Sequence, residues 1–456
     1  MNEQESRRSV LKKLCLSIGV ISLDSTSVVQ ACDGQEFLEP QLEAGTFKKP
    51  ITAITLGAGS RGNVYGNYAV RYPDRLDIVG AAEPIEIRRQ RYAKKHKIAK
   101  ENLVTTWEHI FKRPKFADAI IITTPDDLHY GPCMAALEMG YDILLEKPIS
   151  PSEQECKNIH AMVEKTGRIV AVCHVLRYAP YFQKLKEIVS SGVLGKVVSM
   201  QHFEPIEHLH MSHSYVRGNW HNSKKTTPIL LAKSCHDLDL IRWIMDQECT
   251  HIQAFGGLDW FTKANAPKGA TARCTDGCAV EDTCVYSALK LYHRRRGYTH
   301  VFDLPDDRKK HGDAILNYLK TTNYGRCVYD MENDQPDHYT VNMQFKDGAT
   351  TAFSMEAFTS YHGRRTRVMG SMGDIVGDMT QFTYTDFATG KKTEWKGVSD
   401  GHGGGDWRLV TDWLKAIQAR DSSLLVSTID ESIESHVMGY RAEISRLKGT
   451  VEKVSL

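Results

Sequence analysis

No apolar run in this 456-residue chain reaches the ~18 to 20 residues that a membrane-spanning helix requires. An excess of one charge is missing as well: 58 Lys and Arg stand against 56 Asp and Glu, a net of +2. Without a basic stripe no nucleic-acid partner is expected. The short runs Arg294-Arg295-Arg296 and Arg308-Lys309-Lys310 read as solvated surface. No internal repeat is apparent. The 11 cysteines never form the familiar CxxC pair. Length alone leaves room for two domains with real cores.

Against that background residues 51–62 stand out. They read ITAITLGAGSRG, an apolar strand running into Gly57-x-Gly59-x-x-Gly62. In a strand–turn–helix of this kind the first glycine permits the tight turn and the second lets the backbone approach a pyrophosphate. The third lets the helix pack closely, and the helix N-terminus faces the phosphates. A second apolar strand, Leu76 to Ala82, ends at Glu83, about 20 residues beyond Gly62, where a carboxylate can bind a ribose 2′-hydroxyl. The same carboxylate would repel a 2′-phosphate, so NAD is expected and NADP is disfavoured. A glycine turn in some other α/β domain is the bland alternative.

From residue 48 to about 172, strand patterns at 51–57, 76–82, 118–123, 142–146 and 168–172 alternate with helical ones at 61–71, 85–96, 127–139 and 152–165. Continuous apolar runs such as Ala119-Ile120-Ile121-Ile122 predict strands buried on both faces, hence a parallel sheet between helices. Thr124-Pro125 and Glu146-Lys147 fall at the carboxyl ends of two of these strands, the edge where open α/β sheets hold ligands.

GAGSRG, TTPDDLHYGPCMAALEMGYDILLEKPIS and CHDLDLIRW together resemble the Gfo/Idh/MocA family, which includes glucose–fructose oxidoreductase and inositol dehydrogenases. The resemblance is clear over residues 50 to about 250 and loose beyond. It implies an N-terminal Rossmann dinucleotide-binding domain (49–172), then a large, open, mostly antiparallel sheet domain (173–456) of α+β type. The exposed face of such a sheet often makes a dimer, so a homo-oligomer is expected. Lys147 is implied to be the active-site lysine beside the nicotinamide, with Pro148 after a cis bond. An ammonium there can hydrogen-bond the reacting hydroxyl and stabilise developing negative charge. The nucleotide contacts so implied are Gly57, Gly59, Ser60, Arg61, Gly62, Glu83 and Arg88 on one side. Thr124, Pro125, His129, Glu146 and Lys147 form the other.

After Cys173 the pattern changes to an amphipathic helix from Tyr178 to Ser190, then period-two segments at Val197–Phe203, His251–Phe255, Tyr339–Phe345 and Thr350–Met355. Two closing helices are expected at Asp406–Ala419 and Ile429–Arg446. A further helix, Pro228 to Met245, would place Lys233, His236 and Asp237 near one face. By the resemblance His236 relays a proton to or from the substrate hydroxyl, as an imidazole can near neutrality. Family dehydrogenases commonly carry an aspartate four residues before that histidine. Here the position is Ala232, and Lys233 is a candidate replacement.

A strand and loop expected from His208 to His221 offers His210, His213, Tyr215, Arg217 and Trp220 as substrate contacts, since sugars and cyclitols take both hydrogen bonds and aromatic faces. His402-Gly403-Gly404-Gly405-Asp406 either reaches the pocket or ends as a helix cap at Asp406.

Cys274, Cys278 and Cys284 cluster in a polar insertion at about 257–330, and Cys235 precedes His236. Four thiolates suit zinc or an iron–sulfur cluster; disulfides and unlinked thiols are the competing readings. At the N-terminus, Ser6-Arg7-Arg8-Ser9-Val10-Leu11-Lys12 resembles a twin-arginine export signal. Val29-Gln30-Ala31-Cys32 resembles a lipoprotein cleavage box. Residues 1–32 are thus expected to export the protein, to the periplasm or to a membrane anchor acylated at Cys32. Residues 33–48 are read as a linker, and an unprocessed cytoplasmic tail is the alternative.

The reading that follows is an NAD-dependent oxidoreductase acting on the CH–OH group of a sugar, sugar acid or cyclitol. Two others remain open. One is an NAD-dependent glycoside-cleaving enzyme working by oxidation and elimination, and the other a nucleotide-sensing binding protein without turnover.

Overall fold

The computed structural model describes residues 47–397 and 401–455. The expected export signal, the acylation site at Cys32 and nearly all of the linker lie outside the described residues.

Six parallel strands form the first sheet: β1 (Ile51–Leu56), β2 (Leu76–Ala82), β3 (Leu103–Val104), β4 (Ala119–Ile122), β5 (Asp142–Leu145) and β6 (Val170–Val172), in the order β3-β2-β1-β4-β5-β6. β4 and β5 are buried at every residue, as a sheet covered on both faces demands. Strand order reverses between β1 and β4, which opens a crevice at their carboxyl ends. The two-residue edge strand β3 is absent from the sequence reading, because it is too short to carry a period.

The second sheet has nine strands. β7 (Val197–Pro205), β8 (Cys249–Gly257), β9 (His338–Phe345) and β10 (Thr350–Glu356) match the period-two segments. β11 (Arg365–Gly370), β12 (Gly373–Gly377), β13 (Gln381–Asp386), β14 (Lys392–Lys396) and β15 (Glu452–Lys453) extend it to the order β14-β13-β12-β11-β7-β10-β9-β8-β15. Every pairing is antiparallel except β7 with β10. Helices Cys235–Met245 and Ile429–Lys448 pack on one face. The other turns outward through a row formed by Val376, Arg367, Gln201, Ala352 and Asn342, all exposed.

Two local expectations are corrected. The helix expected over Pro228–Met245 breaks in two, Ile229–Ala232 and Cys235–Met245, because Ser234, at ψ 4°, leaves helical geometry. The segment expected as strand and loop is instead one α-turn, His208–Met211, followed by a π-helical turn, Ser212–Arg217.

Between β8 and β9 the insertion builds a small core of its own from Leu291, Tyr292, Phe302, Ile315 and Leu319. It reaches the first domain through Arg88–Asp303 (2.7 Å) and Arg91–Asp306 (2.6 Å). Near its end the chain returns. Helix Gly405–Ala419 sets Leu409, Val410, Trp413 and Leu414 into the apolar cluster formed by Ala53, Ile78, Ile121 and Leu144 of the parallel sheet.

Candidate active site

The glycine turn follows directly from the backbone. Gly57 has φ +93°, and a Cβ there would stand 2.6 Å from the Thr123 carbonyl oxygen. A Cβ on Gly62 would stand 2.2 Å from the Gly57 oxygen. Gly59 differs: its Cβ would meet nothing nearer than Arg88 Nη1 at 3.9 Å. The protein itself therefore does not require glycine at 59, whereas a ligand lying against that backbone does. Glu83, 3% exposed, accepts the Ala58 N–H at 2.7 Å and the Ile85 N–H at 2.9 Å, fixing the carboxylate at the end of β2. This turn fits a dinucleotide.

One cleft of about 750 Å³ runs from these residues to the second domain, a volume suited to a cofactor with a small substrate. Ser60, Arg61, Arg88, Thr124, Pro125, His129, Glu146 and Lys147 all line it, with Lys233, His236, His210, Tyr215 and Trp220. His129 sits with its ring nitrogens 2.7 Å from the Pro148 oxygen and 3.0 Å from the Thr124 oxygen, tying two strand ends together. The Lys147–Pro148 bond is cis.

Lys147 Nζ donates to the Ala232 carbonyl at 2.7 Å. Where the resemblance leads one to expect an aspartate side chain, the broken helix offers a backbone oxygen. Lys233 pairs with Glu204 at 3.1 Å. Asp237 does not share the cleft. It is fully buried against Arg364 (2.6 Å) and His202 (3.1 Å), and although burial would raise its carboxyl, Arg364 and His202 hold it well below the usual range.

His236 is 6% exposed, and its Nδ1 has no hydrogen-bond partner among the described residues. Burial, followed by the Lys147 charge, drives its pKa well below the ordinary value, so the ring stays neutral. Beneath the cleft, Arg61 binds Glu146 (2.5 Å) and Asp406 (2.6 Å), while Tyr65 donates to Glu146 (2.6 Å). Asp406 also takes His402 Nδ1 at 3.1 Å, and His402 lines the cleft with its ring 6.0 Å from that of His236. Burial would raise Asp406, but His402 and Arg61 hold it at about 2. Asp406 caps no helix with its side chain.

On the substrate side the π-helical turn decides which residues face inward, since positions four to five apart share its face. His210, Ser214, Tyr215 and Asn219 line the cleft. His213 and Arg217 do not, which corrects their expected role. His213 bonds the Tyr292 hydroxyl at 2.9 Å and stacks on Tyr298, and Arg217 bonds the Arg326 and Tyr286 carbonyls, all in the insertion. Asp126 is a cleft residue that the sequence reading missed. It accepts Trp220 Nε1 at 2.9 Å, and its place just after Thr124-Pro125 was the available signal.

The metal site expected from Cys235, Cys274, Cys278 and Cys284 is also corrected. Cys235 is buried on its own helix, while the other three line a separate cavity in the insertion with Cys327. Among the described residues no three His, Cys, Asp or Glu side chains stand ready to hold a metal ion.

Residues 51–174 match the family described as "Oxidoreductase family, NAD-binding Rossmann fold", and residues 182–292 match the GFO/IDH/MocA C-terminal domain. The chain is 26% identical over 315 residues to YteT of Bacillus subtilis (strain 168), named as an oxidoreductase, covering 65% of this chain and 71% of that protein. It is 25% identical over 216 residues to scyllo-inositol 2-dehydrogenase (NAD(+)) of the same organism, covering 45% of this chain and 57% of that one. The fold is shared with an inositol dehydrogenase homolog from Azotobacter vinelandii solved with NADH and myo-inositol. There the TM-score is 0.64 at 14% identity, over 89% of this chain and 98% of the other. With both halves matched over more than half its length, this chain belongs to the Gfo/Idh/MocA family of NAD-binding oxidoreductases.

Proposed function

We propose that this protein moves hydride between NAD and a carbinol carbon of a sugar, sugar acid or cyclitol. The observation that carries the reading is the convergence of Lys147, His236, His210, Tyr215 and Trp220 on the cleft that begins at the glycine turn. NAD, when bound, supplies the hydride acceptor or donor. The chain's own residues do the rest. Lys147, held by the Ala232 oxygen, presents a positive charge toward an alkoxide-like oxygen. His236, held neutral by burial, takes the hydroxyl proton in oxidation and returns it in reduction. Tyr215 and Trp220, with ring centroids 6.0 Å apart, offer an aromatic wall to the C–H face of a ring, and His210 adds a polar edge. Glu83 favours NAD over NADP by the charge argument given above. The outward face of the nine-stranded sheet is assigned to pairing with a second copy.

The test is a panel of cyclitols, aldoses and sugar acids incubated with the protein and NAD, reading reduced nicotinamide. Net NADH from at least one of them is the expected result. Product without net NADH would replace dehydrogenation with oxidation–elimination. No turnover with a bound nucleotide would leave a sensor.

A further inference from the structure

The insertion holds a second cavity, separate from the cleft and independent of the reading above. It is about 20 Å³, room for a single atom-sized guest. Cys274, Cys278, Cys284 and Cys327 line it together with Arg217, and all four thiols are unlinked. They come from three stretches: the loop after residue 273, the turn at 278–284, and the segment leading to β9.

Two donors treat the Cys274 sulfur as an acceptor. The Ala288 N–H reaches Cys274 Sγ at 3.4 Å, and Arg217 Nη2 lies 3.8 Å from the same sulfur. Arg217 adds a second kind of observation. It is 1% exposed, forms no ion pair among the described residues, and leaves Nη1 buried without a partner beside the cavity. A buried, unpaired guanidinium is costly. Four neutral thiols would not relieve it. Four thiolates around a dication carry a net charge of two minus and would.

We propose that Cys274, Cys278, Cys284 and Cys327 bind one zinc-like divalent cation as a tetrathiolate, with Arg217 balancing its charge. Binding forms four metal–sulfur bonds and releases four thiol protons to solvent, with no change of oxidation state. The four thiols line the cavity but among the described residues do not stand ready to hold an ion, so binding requires the loops that carry them to draw inward. Arg217 closes the π-helical turn that carries Tyr215, so the ion also steadies one wall of the cleft.

Full-length protein, purified under reducing conditions without chelator, is analysed for metals beside Cys327→Ser and Cys235→Ser. One zinc per chain in the wild type, kept in Cys235→Ser and lost in Cys327→Ser, is the expected pattern. Because Cys327→Ser can also fail by misfolding, reduced, metal-stripped wild type is titrated with cobalt(II). A sulfur-to-cobalt charge-transfer band saturating at one equivalent supports the site. No metal and no such band, disulfides among the four cysteines by mass, or an iron–sulfur absorption spectrum would each overturn it.

Discussion

Replacing Glu83 with alanine should weaken NAD binding and lower stability together, by separable amounts. The carboxylate accepts two backbone N–H groups, from Ala58 and Ile85, inside the first βα turn and at the end of β2. Removing it leaves both donors unsatisfied, at about 1–3 kcal/mol each where water is excluded. The cleft admits water on this side, so about 1–2 kcal/mol in total is the better expectation, a fall of a few degrees in Tm. A charge-assisted bond to a ribose hydroxyl contributes about 1.5–3 kcal/mol, so NAD affinity should fall roughly 10- to 100-fold. NADP affinity should hold or rise, because the repulsion of its 2′-phosphate goes with the carboxylate. Glu83→Gln keeps one acceptor oxygen and turns an amide toward the other N–H, so it should recover part of the nucleotide affinity and little of the stability. Calorimetric titration with both nucleotides, beside thermal unfolding of the nucleotide-free protein, reads the two effects apart. Unchanged NAD affinity with a lowered Tm would reduce Glu83 to a turn acceptor. Wild-type protein preferring NADP would refute the charge argument outright.

Lys147→Ala and His236→Ala should each lower kcat by about 10²-fold or more with nucleotide affinity nearly unchanged, read by steady-state kinetics once a substrate is found. Lys233→Ala should matter less, since its ammonium is committed to Glu204; a loss as large as that of Lys147 would make it a direct participant. Gly62→Ala should abolish nucleotide binding, because its methyl would stand 2.2 Å from the Gly57 oxygen and force the turn open; retained affinity in a binding titration would contradict that geometry. Burial, then the neighbouring His174 ring, depresses His436 to about 3, and its Nε2 accepts the Ile149 N–H while Nδ1 faces the Ser432 oxygen. A histidine held neutral in the fold but free to protonate when unfolded lowers stability as pH falls below its unfolded value. This group should therefore contribute a slope of about 1.4 kcal/mol per pH unit from ~6.5 down toward its folded value. Urea unfolding of His436→Gln should show that slope removed between pH 6 and 5; an unaltered slope refutes the assignment.

The nucleotide half was legible because its chemistry is local. Gly57, Gly59, Gly62 and Glu83 belong to one βαβ unit, and Lys147 sits at a strand end that hydropathy locates. The substrate half was not, for three physical reasons. A π-helical turn has no signature at the level of apolar spacing, so His213 and Arg217 looked equivalent to His210 and Tyr215. The break at Lys233–Ser234 frees the Ala232 carbonyl, and nothing in an apolar helical run such as ILLA announces it. Cys327 joins Cys274, Cys278 and Cys284 only through the folded path of the insertion, whereas Cys235, adjacent in the motif, packs elsewhere. Strands β11 to β14 escaped notice for a simpler reason. They are short, rich in polar residues and joined by tight turns, so no clean alternation survives.

Helix Gly405–Ala419 has a consequence for how the molecule is made. Its Trp413, fully buried, occupies an apolar seat on the first sheet, so the ribosome completes the nucleotide domain's strands long before it delivers the piece that covers them. At ~5–20 residues per second the interval between β6 and this helix is roughly 10–50 s. Throughout it the nascent sheet shows an uncovered apolar face to whatever is nearby. A fragment ending at residue 172 should therefore aggregate when expressed alone, and a holding chaperone should be found on ribosome-bound chains of intermediate length. Maturation of this domain is timed by the far end of the polypeptide.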